Sequence, residues 1–389
     1  MVVAAPSTAA SLPDGGRFVA LDSLRGLAAL AIAWRHINGN GPFLSGAAHD
    51  NLRLGVDFFF VLSGFVIAAS YGDRLAAGFS TVRFMALRIG RVWPLHAAMV
   101  AGYIILELVF AAAGSGGILH GREPFTGPRD PWTLPGVLLL VQALVWPGRD
   151  LWNVQSWSIS VEVWLYLAAA LLWRWIGARA WLPAAVAALV ALAILGMGGG
   201  SQEWLLRGIG GFGLGMAVRA AWQAEWIRKL SPAALTALEL SALPAAVALL
   251  LTGASVLVAD LVFAAAILVF AREAGPVSAV LRSAALRWLG TVSYSLYMVH
   301  GLVFGRIFDG LSWLQGQTGA RWVSAQLGGA DRILLPTLAG LLVALAMIAA
   351  VLPIAWLAWR CVEWPARNWS RRAATRLGAS DEERAATAL

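Results

Sequence analysis

The chain has 389 residues, 59% of them hydrophobic and only 13% charged, with a net charge of +8. That composition excludes an ordinary soluble globular domain, and repeated apolar runs of about 17–25 residues mark a polytopic helical membrane protein. The basic residues are arginines apart from Lys229, and they sit between the apolar runs rather than in one patch. The positive-inside bias of membrane proteins explains that spacing, and nucleic-acid binding does not. A single cysteine, Cys361, excludes a disulfide framework and a cysteine-rich metal site, and no His/Cys spacing predicts a metal.

Residues 1–19 read as a disordered cytoplasmic tail: Met1–Gly16 is small, polar and proline-containing, without the apolar core of a signal peptide. Residues 20–369 read as an integral membrane domain and 370–389 as a charged cytoplasmic tail. Eleven apolar stretches are predicted, at 20–37, 54–71, 92–113, 133–147, 157–174, 181–197, 204–221, 233–252, 254–271, 288–308 and 333–360. The arginine-rich segment 72–91 is the best cytoplasmic loop, with Arg83, Arg88 and Arg91 just ahead of the third stretch. If all eleven stretches crossed, several basic loops would lie on opposite sides. Demoting 133–147, which is short and bounded by Pro135 and Pro147, repairs the pattern. The expected fold is an all-α, polytopic membrane helical bundle of about ten transmembrane helices plus one short re-entrant or interfacial segment. Both termini are then cytoplasmic, in the cytoplasmic (inner) membrane.

The first stretch, LDSLRGLAALAIAWRHI, carries charge where a membrane span should not. Arg25 and His36 are 11 residues apart, three turns plus about 20°, so they share a helix face about 16 Å apart. On the predicted topology Arg25 lies near the cytoplasmic end and His36 near the outer end. An imidazole there can act as a general base or nucleophile. Asp57, in GVDFFFVLSGF, falls at a similar depth and is expected to orient it. Arg88 and Arg91, with Arg83, form a candidate phosphate clamp on the cytoplasmic side, because guanidinium forks bind phosphate bidentately. In SWSISVEVWLYL, Glu162 stands among aromatic residues with Ser158 nearby, and substrate hydroxyl binding or pairing to an arginine would explain it. LGTVSYSLYMVH sets Ser293, Tyr297 and His300 near one face. Glu363 and Arg367 are four residues apart and read as a local ion pair that ends the last span. The glycines of Gly208–Gly215 follow no strand, so close helix packing is expected there rather than a dinucleotide loop.

In order along the chain, LDSLRGLAALAIAWRHI, GVDFFFVLSGFVI, RIGRVWP, SWSISVEVWLYL, LGTVSYSLYMVH and VEWPAR resemble the acyltransferase family 3 membrane proteins, which include polysaccharide O-acetylases. The resemblance runs from about Leu21 to about Arg367. It implies about ten membrane helices, a cytosolic acyl-CoA co-substrate, most readily acetyl-CoA, and an acceptor reached from the other face of the bilayer. No permanently bound cofactor is implied.

On that resemblance the expected enzyme is an O-acyltransferase acting on a glycan or another hydroxyl-bearing acceptor. His36, Asp57 and Arg25 would be catalytic, and Arg88, Arg91 and Arg83 would bind the donor. Glu162, Ser158, Tyr297, His300, Glu363 and Arg367 would bind the acceptor or support the site. The lipid bilayer is the third partner; a homo-oligomer or a separate extracytoplasmic partner stays open. The rival reading is a transporter or flippase, since intramembrane charges also mark transport paths. Against it stand the lack of internal symmetry and the pairing of a cytoplasmic arginine cluster with an outer histidine.

Overall fold

A computed structural model of the chain describes residues 17–113, 123–224, 229–324 and 331–387. Of the tail expected over 1–19, residues 1–16 lie outside them, and Val19 already begins the first helix. The long helices are α1 (Val19–Arg35), α2 (Gly55–Ile67), α3 (Thr81–Ala113), α4 (Ser156–Ile176), α5 (Trp181–Gly196) and α6 (Glu203–Trp222). After them come α7 (Pro232–Thr252), α8 (Val256–Phe270), α9 (Ala284–Thr318), α10 (Thr337–Ala358) and α11 (Trp364–Thr387). The strand content among the described residues is one antiparallel pair, Val323–Ser324 with Arg332–Ile333, and Asn38 bridges onto Arg332 beside it.

Helix ends follow local chemistry. Ser231 caps α7 by accepting from the backbone of Ala234, with Pro232 in the first turn, where its missing N–H is no loss. Gly253 and Gly319 end α7 and α9 in the left-handed conformation that a side chain disfavours.

Among the described residues, five helical stretches are long and apolar enough to cross a membrane by length and composition, at 47–76, 81–112, 156–196, 232–252 and 337–376. The stretches at 20–37, 204–221 and 288–308 are helical too. The stretch 133–147 does not form a span: it breaks into Leu134–Leu138 and Gln142–Val145, pieces too short to cross.

Three boundaries differ from expectation. The segment carrying Arg83, Arg88 and Arg91 is not a loop; α3 starts at Thr81 and includes them. A run of strong helix formers and few turn residues carries the helix through the arginines. α9 runs on to Thr318, ten residues beyond the predicted stretch. The segment past 369 is helical through Thr387, and the side chain of Ser370 packs where Gly90 of α3 has no side chain.

The helices nest around α1, which packs along α9 and against α2, while α2 in turn packs along α6. Both pairings are backbone-close. A Cβ on Gly26 would lie 2.6 Å from the Gly290 nitrogen, and one on Gly215 would lie 2.1 Å from the Val61 carbonyl oxygen. Glycines in GIGGFGLG therefore serve helix packing. α3 lies against α4 and α11, closing a cleft between α1, α2, α3 and α11.

Candidate active site

The cleft is open, about 600 Å³, a size suited to a small-molecule ligand. Among the described residues, seven arginines line it: Arg17, Arg25, Arg74, Arg88, Arg91, Arg367 and Arg371. The acidic residue among its lining, Asp22, is taken by Arg17 and by Arg25 at 2.9 Å. Arg25 is further fixed by donating to Ser293 Oγ at 2.9 Å and to the Gly290 carbonyl at 3.0 Å, which ties α1 to α9. Arg88 donates to the Tyr71 hydroxyl at 3.0 Å and lies over that ring. Arg91 has no hydrogen bond or ion pair with any described residue. A guanidinium that lines a cleft with no acid bonded to it can accept an anion there. Arg83 lies outside the cleft lining, against the Phe79 ring at 5.3 Å.

Arg25, Arg88 and Arg91 also line an inner chamber that continues the cleft into the bundle. Its far wall holds Ser158, Glu162, Tyr166, Ser293 and Tyr297. Glu162 pairs with hydroxyls rather than with an arginine: Ser63 and Tyr166 both donate to it at 2.5 Å. It therefore lies on the arginine side of the protein. Glu363 is buried and accepts from Ser295 of α9 at 2.8 Å, with Arg367 at 3.7 Å. The pair does more than end a span, because it clamps the corner between α10 and α11 onto α9.

Beyond the chamber the polar groups continue along α9. The Tyr297 hydroxyl lies 2.8 Å from Ser158 Oγ and donates to the Gln155 carbonyl at 3.0 Å. One turn further, the fully buried His300 donates from Nδ1 to the Leu296 carbonyl at 3.2 Å and accepts at Nε2 from the Gln155 amide at 3.1 Å. That same Nε2 stands 3.3 Å from His36 Nδ1. His36 caps the end of α1 and is exposed. Its Nδ1 lies 2.8 Å from the Ile32 carbonyl. A carbonyl only accepts, so Nδ1 carries the proton of the neutral ring and Nε2 keeps a free lone pair.

Asp57 is not the group that orients His36. Its carboxylate is fully buried and held by Arg207 through two bonds of 2.9 and 2.8 Å. The bidentate guanidinium satisfies Asp57 completely, and Ile32 with His300 takes its expected place beside His36. Asp260 of α8 is buried close to this pair, and neither of its oxygens has a hydrogen-bond partner among the described residues.

Sequence reasoning passed over Arg207, Asp260, Gln155, Ser63 and Arg371. For Arg207 and Asp260 a signal existed, since each is an ionisable residue inside an apolar stretch, the same signal that singled out Asp57. Gln155 carries no such mark; only the packing of α4 against α9 gives it a role.

Residues 18–360 match the family model described as an acyltransferase domain, the acyltransferase family 3 model. The chain belongs to that family. Two curated proteins are similar to it. Protein 2 in the picA locus of Rhizobium radiobacter is 33% identical over 206 residues, which cover 46% of this chain and 92% of that protein. Acyltransferase MdmB of Streptomyces mycarofaciens is 31% identical over 170 residues, 41% of this chain and 40% of that one. No solved structure matches the chain. Acyl transfer is thus the chemistry of the family, and the apolar helices mark a membrane protein.

Proposed function

We propose that the protein is an integral membrane O-acyltransferase. It moves an acyl group, most simply acetyl, from cytosolic acyl-CoA to a hydroxyl of a glycan or another cell-envelope acceptor. The observation that carries this reading is α1 itself: Arg25 opens onto an arginine-lined cleft, and three turns along the same face His36 presents an unprotonated Nε2. In this reading the cleft faces the cytoplasm, His36 faces outward, about ten helices cross the inner membrane, and both termini are cytoplasmic.

Arg88 and Arg91 hold the donor diphosphate, and Arg25 guides the pantetheine arm into the inner chamber. The ~16 Å between Arg25 and His36 is about the length of that extended arm. His36 Nε2 takes the proton of the acceptor hydroxyl as its oxygen attacks the thioester carbonyl. The carbon–sulfur bond then breaks, the ester leaves with the acceptor, and the CoA thiolate takes up a proton. His300, locked by Leu296 and Gln155, keeps the His36 ring in the orientation this needs.

The test is release of CoA thiol from acetyl-CoA by purified protein in nanodiscs, together with the gain of acetyl mass on envelope glycans of expressing cells. Loss of a general base is expected to slow transfer by about 10²–10⁴-fold in His36→Ala. Wild-type rates in that variant would overturn the reading.

A further inference from the structure

The mouth of the cleft holds more positive charge than a diphosphate requires. Arg367 and Arg371 stand four residues apart on α11, so they share a helix face, and both line the cleft. Neither lines the inner chamber, whereas Arg88 and Arg91 do. The arginines therefore form two pairs at two depths, one where the cleft meets the chamber and one at the rim.

The rim pair is poorly neutralised. Arg367 reaches Glu363 only at 3.7 Å and stands in the field of Arg91, Arg371 and Arg25. Arg371 makes no hydrogen bond or ion pair with any described residue. Like charges at this spacing repel, and a bound dianion would turn that repulsion into attraction. Trp359 adds a second unmet group to the same lining, since its indole N–H is buried without a partner among the described residues.

This inference rests on the donor being a CoA thioester. Such a donor carries two separate anionic groups, a diphosphate next to the pantetheine and a phosphomonoester on the ribose 3′ position. With the thioester inward, the diphosphate meets the deeper pair and the 3′-phosphate comes to the rim. We propose that Arg367 and Arg371 form a subsite for the donor's 3′-phosphate, so that the protein selects CoA thioesters over their 3′-dephospho counterparts.

The experiment measures the affinity of CoA and of 3′-dephospho-CoA by calorimetry for full-length protein in phosphatidylcholine nanodiscs. Charge-assisted bonds to a phosphate should make wild-type protein bind CoA at least about tenfold more tightly. Arg367→Gln/Arg371→Gln is expected to reduce that ratio to about twofold or less, with dephospho-CoA bound as by wild type; this retained binding also shows that the variant is folded. If the double variant does not fold, Arg371→Gln alone, at an exposed position, is expected to lower the ratio at least about threefold. Arg88→Gln/Arg91→Gln should weaken both ligands in parallel.

Equal wild-type affinities, or parallel loss of both ligands in the rim variant, would overturn the proposal. So would a wild-type protein that shows no preference for CoA yet is stabilised by phosphatidic acid, which would assign the rim to a lipid phosphomonoester. Absence of any CoA binding to wild-type protein would overturn the donor reading, and this proposal with it.

Discussion

Arg91 and Arg207 are both arginines inside a helical bundle, and their surroundings are opposite. Arg207 is buried with its guanidinium forked onto Asp57 and backed by Glu203 at 3.7 Å. Arg91 sits in an open cleft among other arginines without an acid bonded to it. A charge paired inside the protein is part of its architecture, because removing either partner strands the other in a medium that cannot solvate it. A charge left facing a cavity is held ready for something from outside. The contrast separates residues that hold the bundle from residues left open to a ligand, although all of them look alike as ionisable residues in apolar sequence.

The comparison can be broken most directly at the closed cluster. Asp57→Asn leaves Arg207 buried without its counter-charge and is expected to cost about 3–5 kcal/mol of stability. Thermal unfolding in detergent checks this, and an unchanged midpoint would show that the pair is not structural. The open cluster should respond the other way. Arg91→Gln is expected to weaken CoA binding by about 10–100-fold, the worth of a charged hydrogen bond, with the unfolding midpoint little changed because Arg91 makes no hydrogen bond or ion pair with any described residue. Smallest is the response to salt. Raising ionic strength from about 0.05 to about 0.5 M should weaken CoA affinity several-fold by screening the exposed arginines. Its effect on unfolding in the absence of ligand should be slight, since the buried Asp57–Arg207 pair is screened much less.

Much of the fold was legible because the apolar runs are long and their interruptions are charged. The line from Arg25 to His36 was legible for a simple reason: helical spacing is local, and both residues are on α1. The partner of Asp57 was not. Choosing between His36, 21 residues away, and Arg207, 150 residues away, depends on how α2 lies against α1 and α6, and that is settled by glycines such as Gly64 and Gly215. The arginines of α3 were misplaced in a loop because a positive-inside signal marks a side of the membrane and says nothing about helix or coil. Gln155 and His300 acquire their roles only where α4, α9 and the end of α1 meet.

The contact of Gly26 with Gly290 has a mechanical consequence. There is no gap between α1 and α9 in which one helix could slide or roll past the other, and Arg25 and His36 are each bonded across that same seam, to Ser293 and to His300. On the proposed function the two helices form a fixed ruler, with the donor anchor at one mark and the base at another. On that reading turnover has to be accommodated by the flexible arm of the donor, and the ruler sets how long an arm can deliver its cargo.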